Sequence, residues 1–140
     1  MKSVRSSEGP NWLNFSLPAS LEAVDGICCR TKEWLRAKGL ERGWFEVQLL
    51  LREALNNCVL HGCRSDPEKE IRLEISLQGS TVRIAAEDQG EGFAWKECLG
   101  SAPSLPLDGE SGMGLTILRL YADSMDFNEK GNRVVLSKRI

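Results

Sequence analysis

The hydrophobic pattern of this chain changes period in its middle, and that change limits the folds open to it. Val47, Leu50, Leu51, Ala54, Leu55, Cys58 and Val59 recur at helical spacing over about three turns of the 3.6-residue period. Ile71, Leu73, Ile75 and Leu77, then Val82, Ile84 and Ala86, instead alternate strictly. The first pattern predicts a helix from about Arg42 to His61 with Gly62 as its terminator. The second predicts two antiparallel strands around Gln78-Gly79-Ser80, each with one buried face. A striped helix and one-faced strands bury their apolar sides against each other, so the chain must layer helices on a sheet.

The flanking segments extend this architecture. Asn11 to Leu17 reads as a short strand, and Pro18-Ala-Ser20 opens a helix through about Lys38, with Ser20 as N-cap and Gly39 as the stop. Asp88 to Ser111 is loop-rich, with at most a short helix around Ala94 to Cys98; Gly112 to Tyr121 is helical again. A last hairpin pairs Ser124 to Asn128 with Arg133 to Lys138 across Lys130-Gly131-Asn132. The fold class is therefore α+β, a two-layer sandwich with a mostly antiparallel sheet and helices on one face. Residues 1–10 read as an N-terminal tail and 11–140 as one domain, a size that suits a single core.

Charge and composition exclude several functions. The net charge is -2 with both signs interspersed, so no basic field points to direct nucleic-acid binding. No apolar run approaches the roughly 20 residues of a membrane helix, and the N-terminus lacks the apolar segment of a signal peptide, so the expected place is the cytoplasm. The five cysteines, at 28, 29, 58, 63 and 98, and the one histidine, His61, have spacings that suit neither a disulfide framework nor a metal site. The cysteines are expected to be reduced and to pack as small apolar residues.

Three polar elements could carry chemistry. Stepping about 100° per residue puts Glu53, Asn57 and His61 in one row beside the core stripe, with Asn56 nearer solvent. Alone, that row also fits the polar border of an amphipathic helix. Asp88 continues the inward parity of Val82, Ile84 and Ala86 and precedes Gln89-Gly90-Glu91-Gly92. An inward carboxylate needs a donor, which could be a ligand N–H such as the amine of adenine, or an amide of its own loop. Gly109-Glu110-Ser111-Gly112-Met113-Gly114-Leu115 runs into a helix; its free N–H groups could hold phosphate oxygens, or the glycines could simply loosen the start of the helix. His61 reads as a helix-end residue, because nothing nearby forms a nucleophile–base pair with it.

Taken together, Glu-x-x-x-Asn on a helix, Asp-x-Gly-x-Gly at a strand end and Gly-x-Gly at a later helix start resemble the N, G1 and G2 boxes of the GHKL (Bergerat-fold) ATPase and kinase superfamily over nearly the whole chain. Glu-Ala-Leu-Asn-Asn-Cys-Val-Leu-His-Gly and Ser-Gly-Met-Gly-Leu-Thr-Ile-Leu look like the RsbW-like anti-sigma-factor serine kinases. The resemblance implies ATP and Mg²⁺ as cofactors. It implies Asn57 as the metal ligand, Glu53 as general base, and Asp88 with Gly90 and Gly92 around the adenine. Gly112, Met113, Gly114 and Leu115 would line the phosphates.

The resemblance also implies partners: a STAS-domain anti-anti-sigma factor as phosphoacceptor, a sigma factor held in alternation with it, and a second copy of the chain in a homodimer. Trp12, Trp34, Trp44 and Phe45 are candidates for an aromatic dimer patch, or for core. In one respect the chain departs from the family pattern. Where members often carry an arginine before the G2 glycines, this chain has Asp108-Gly109-Glu110-Ser111, and Arg119 lies too far along the helix to replace it. The expectation is firm ATP binding with slow transfer, or a charge supplied by a partner. Two alternatives follow: a nucleotide-gated binding module with little kinase activity, and a switch kinase of STAS proteins that does not bind sigma. A sensor histidine kinase domain is disfavoured, because His61 lies inside the site helix and no other histidine exists to accept phosphate.

Overall fold

Ser20 starts the helical layer. Its backbone is extended (φ -142°, ψ 137°), and its hydroxyl oxygen accepts from the Ala23 N–H at 3.1 Å, capping helix α1, Leu21–Ala37. Val24, Ile27, Cys28, Thr31, Trp34 and Leu35 form its buried stripe, and the Thr31 hydroxyl is satisfied by donating to Ile27 O at 2.8 Å. The helix ends where Gly39 takes φ +74° and the Leu40 N–H returns to Leu35 O at 2.9 Å. A 3₁₀ turn, Glu41–Gly43, then feeds α2, Trp44–Asn57, whose Val47, Leu50, Leu51, Ala54 and Leu55 are fully buried.

The computed structural model describes residues 3–90 and 118–140. Gly92, Gly112, Met113, Gly114, Leu115, the 108–111 run, the helix expected at 94–98 and most of the one expected at 112–121 lie outside them; residues 118–121 are helical. Six strands are described: β1 Arg5–Gly9, β2 Trp12–Pro18, β3 Glu70–Gln78, β4 Thr81–Asp88, β5 Ser124–Phe127 and β6 Arg133–Arg139. They form one sheet in the order β1-β2-β3-β4-β6-β5, with every neighbouring pair antiparallel. This is the α+β architecture the pattern predicts.

Strand parity decides which side is core. Leu13, Phe15 and Leu17 of β2, Ile71, Leu73 and Ile75 of β3, Val82, Ile84 and Ala86 of β4, and Val134 and Leu136 of β6 are buried together against α1 and α2. Lys138 shares that parity and pairs with Glu46 in the first turn of α2 at 2.8 Å, tying the helix start to β6. Among the described residues no helix is long and apolar enough to cross a membrane.

Three expectations change. Residues 5–9, read as tail, form strand β1, and Glu8 pairs with Arg30 of α1. Arg-Ser-Ser-Glu-Gly lacks apolar alternation because it is an exposed edge strand, held by ladder bonds to β2 rather than by burial. The four aromatics do not form one patch. Trp34 is core at 3% exposure and Trp44 packs against the core, whereas Trp12 lies on the opposite sheet face and Phe45 is 67% exposed. Finally, the second helix does not run as a regular α-helix to His61: it gives way to a π turn, Cys58–Gly62.

Ser20→Ala removes the cap of α1 without touching the core. It should lower unfolding stability by about 1 kcal/mol, read as a shift of the urea midpoint at unchanged slope.

Candidate functional site

The end of α2, the π turn and the end of β4 meet at one place. The π turn closes with the Cys63 N–H on Cys58 O at 2.8 Å, an i to i+5 bond that widens the helix. The chain reverses only after it, at Arg64 (φ 52°) and Ser65 (φ 58°), and the Ser65 N–H returns to Val59 O at 2.7 Å. Gly62 is therefore not the helix terminator. Its role is steric: a Cβ there would overlap the Asp88 carboxylate, and a Cβ on Gly90 would overlap the Gly62 carbonyl. The two glycines let the turn and the loop after β4 close around Asp88.

Asp88 ends β4 opposite Ile71, on the core side, at 7% exposure. Its Oδ1 accepts from the Gly90 N–H at 2.7 Å, so one of its donors is an amide of its own loop. Burial pushes its carboxyl above the ordinary value; the bonds from the Gly90 N–H and the Cys58 thiol pull the other way and only partly offset this. Burial also pushes the Cys58 thiol well up, which keeps it protonated and able to donate to Asp88. Cys63 is buried close by and is raised for the same reason. Cys28, Cys29, Cys58 and Cys63 are all free thiols, and all but Cys29 are buried.

A small, mostly apolar cleft lies between these elements, bordered by Asn57, Cys58 and Gly62 from the helix side, by Asp88, Asn132 and Arg133 from the sheet side, and by Ala54, Ala86, Phe127 and Val134. Asn57, the last residue of α2, thus faces the same space as Asp88. Glu53 stands one turn earlier and is half-buried; like Asn56, it is outside the described lining. His61 lies within the π turn, also outside that lining, and its buried Nε2 has no hydrogen-bond partner among the described residues. The wider turn breaks the register that had aligned His61 with Glu53 and Asn57.

Cys58, Asn132 and Arg133 are lining residues that the sequence did not single out. Cys58 was counted in the core stripe, which it also serves. Asn132 sat in an ordinary hairpin turn, with no periodicity to give it a direction.

The donors suit a hard cation that brings ligands of its own. Among the described residues no three His, Cys, Asp or Glu side chains converge on a point. A carboxamide oxygen such as that of Asn57 fits a Mg²⁺ that takes its remaining oxygens from water and phosphates.

The histidine kinase-like ATPase domain family matches this chain over residues 17–138. Several similar proteins carry the name anti-sigma F factor. That of Oceanobacillus iheyensis is 30% identical over 103 residues, covering 68% of each chain. Those of Clostridium perfringens and Geobacillus kaustophilus are each 27% identical over 103 residues, covering 68% of this chain and 71% and 68% of theirs.

The buried carboxylate has a pH signature. With its folded pKa raised, Asp88 holds its proton more tightly in the folded chain than in the unfolded one. Its contribution is thus fully present below the ordinary carboxylate pKa of about 4 and is lost as pH rises through the folded value. Asp88→Asn should flatten the fall in stability from about pH 4 towards neutrality and be the more stable protein at the neutral end. Urea midpoints measured across that range check both expectations.

Proposed function

Because this chain belongs to the histidine kinase-like ATPase domain family, we propose that it is an ATP-binding anti-sigma factor with protein-serine/threonine kinase activity. The observation that carries this reading is the meeting of Asn57 and Asp88 in one cleft, a carboxamide and a buried carboxylate brought together from a helix end and a strand end. The names of the similar proteins support the anti-sigma part. The substrate is a serine of a STAS-type anti-anti-sigma antagonist, and the alternate partner is a sigma factor. The protein works in the cytoplasm as a homodimer.

Each residue has a defined task in this reading. The Asp88 carboxylate accepts from the exocyclic amine of adenine, with Gly90 and Gly92 allowing close approach of the base. Asn57 offers its carboxamide oxygen to Mg²⁺, which supplies positive charge to the phosphates when bound. Main-chain N–H groups of Gly112, Met113, Gly114 and Leu115, which the resemblance assigns to the phosphates, would hold phosphate oxygens. Glu53 takes the proton from the serine hydroxyl as its oxygen attacks the γ-phosphorus and ADP departs.

A second reading is favoured by one sequence observation, the acidic run Asp108-Gly109-Glu110-Ser111 where the positive charge of an arginine would aid transfer. In it the protein binds ATP and uses it to gate partner binding, with little phosphorylation.

Labelled ATP and the STAS antagonist separate the two. Under the kinase reading, phosphoserine appears on the antagonist and is lost in Glu53→Ala while ATP still binds. Asn57→Ala should weaken Mg-dependent ATP binding by about tenfold or more. Binding without any transfer in the unaltered protein overturns the kinase reading in favour of the gating one. Failure to recover either a STAS protein or a sigma factor by ATP-dependent capture, followed by phosphosite mapping, overturns the partner assignment.

A further inference from the structure

The β4–β6 ladder ends at Glu87 opposite Arg133, one residue short of Asp88. Beyond it the pattern continues with a substitution. The Asp88 N–H donates to the Asn132 main-chain O at 2.9 Å, and the Asn132 side-chain Nδ2 donates to the Asp88 main-chain O at 3.1 Å. In a regular hydrogen-bonded antiparallel pair the second bond would come from a main-chain N–H. Here the Asn132 N–H is engaged by Asn128 Oδ1 at 3.0 Å, so the side-chain amide takes its place.

Asn128 organises the rest of the turn. Its Oδ1 also accepts from the N–H of Gly131 at 2.8 Å and of Arg133 at 3.3 Å, while its Nδ2 donates to Asn132 Oδ1 at 2.6 Å. That last bond decides which end of the Asn132 amide faces Asp88. With Oδ1 held by a donor, Nδ2 is the atom left to meet the Asp88 carbonyl. Turned round, the amide would set two carbonyl oxygens against each other.

We propose that the Asn128–Asn132 pair positions Asp88 for base recognition and thereby sets the preference for a 6-amino over a 6-oxo purine. The inference rests on the adenine reading of Asp88 above and deepens it. A carboxylate only accepts: it bonds the amine of adenine and repels the oxygen that guanine carries at the same position. Discrimination therefore depends on a carboxylate that cannot swing aside. The side chain is confined by the Gly90 N–H and by the close approach of Gly62. The backbone that aims it is held by β3 on one side and, on the other, past the end of the ladder, by Asn132 among the described residues.

Two variants test the pair. Asn128→Asp keeps the oxygen that accepts the three turn N–H groups but replaces the Nδ2 donor with an acceptor, which turns the Asn132 amide away from Asp88. Asn132→Ala removes the amide and keeps the main-chain bond. ATP and GTP affinities are measured by calorimetry with Mg²⁺, alongside thermal unfolding. The unaltered protein should prefer ATP. Both variants should bind ATP about tenfold more weakly with GTP little changed, so the ratio falls by the same factor. A merely structural role would weaken both nucleotides together, and an unchanged ratio in both variants overturns the proposal alone. Binding of neither nucleotide by the unaltered protein overturns the adenine reading and the proposal with it.

Discussion

The π turn at Cys58–Gly62 can rest on the end of β4 only because two positions there carry no side chain. A Cβ on Gly62 would occupy the space of the Asp88 carboxylate, and one on Gly90 would occupy that of the Gly62 carbonyl. These contacts join the end of α2 to a stretch more distant in sequence, the end of β4 and the residues that follow it. They also fix what the site can be. With the turn seated, Asn57 and Asp88 border the same cleft.

The same closeness makes Asp88 costly. Among the described residues, a carboxylate at 7% exposure takes donors from Gly90 and Cys58, and burial still holds its pKa above the ordinary value. The protected thiol helps because burial keeps it in the donating form. A ligand amine would supply the donor that the fold leaves out, in surroundings of low dielectric where each hydrogen bond counts for more. On the proposed reading, the cost of the empty site and the affinity of the filled one would then have a single cause, a buried acceptor.

Much of this is legible in the sequence. Strict alternation through Val82, Ile84 and Ala86 is enough to put Asp88 on the core side, and Ser20 and Gly39 mark the ends of α1 by their chemistry. The π turn is not legible, because Cys58 and Val59 keep the apolar period and are buried whether the turn is α or π. Gly62 reads as a stop since a glycine after a helical stripe usually is one; here the reversal falls to Arg64 and Ser65, which give no such signal. Strand β1 escapes because an exposed edge needs no apolar alternation. Asn128 and Asn132 escape because a turn asparagine has no period from which to read its target.

On the proposed reading, the site has two ends built on different principles. At the base end, Asp88 is aimed by main-chain geometry: a strand end, two glycines and an asparagine amide standing in for a ladder N–H. At the proposed transfer end, Glu53 stands a turn from Asn57 and outside the described lining of the cleft, so its proposed action would depend on where a substrate hydroxyl is brought. On that reading base recognition rests mainly on main-chain geometry, although Glu87 and Lys130 also act on the carboxylate through their charge. Transfer would depend instead on neutralising phosphate charge as the γ-phosphoryl group moves. If so, the acidic sequence at 108–111 would bear on the rate of transfer more than on the choice of base, and nucleotide selectivity and phosphorylation would report on separable parts of one site.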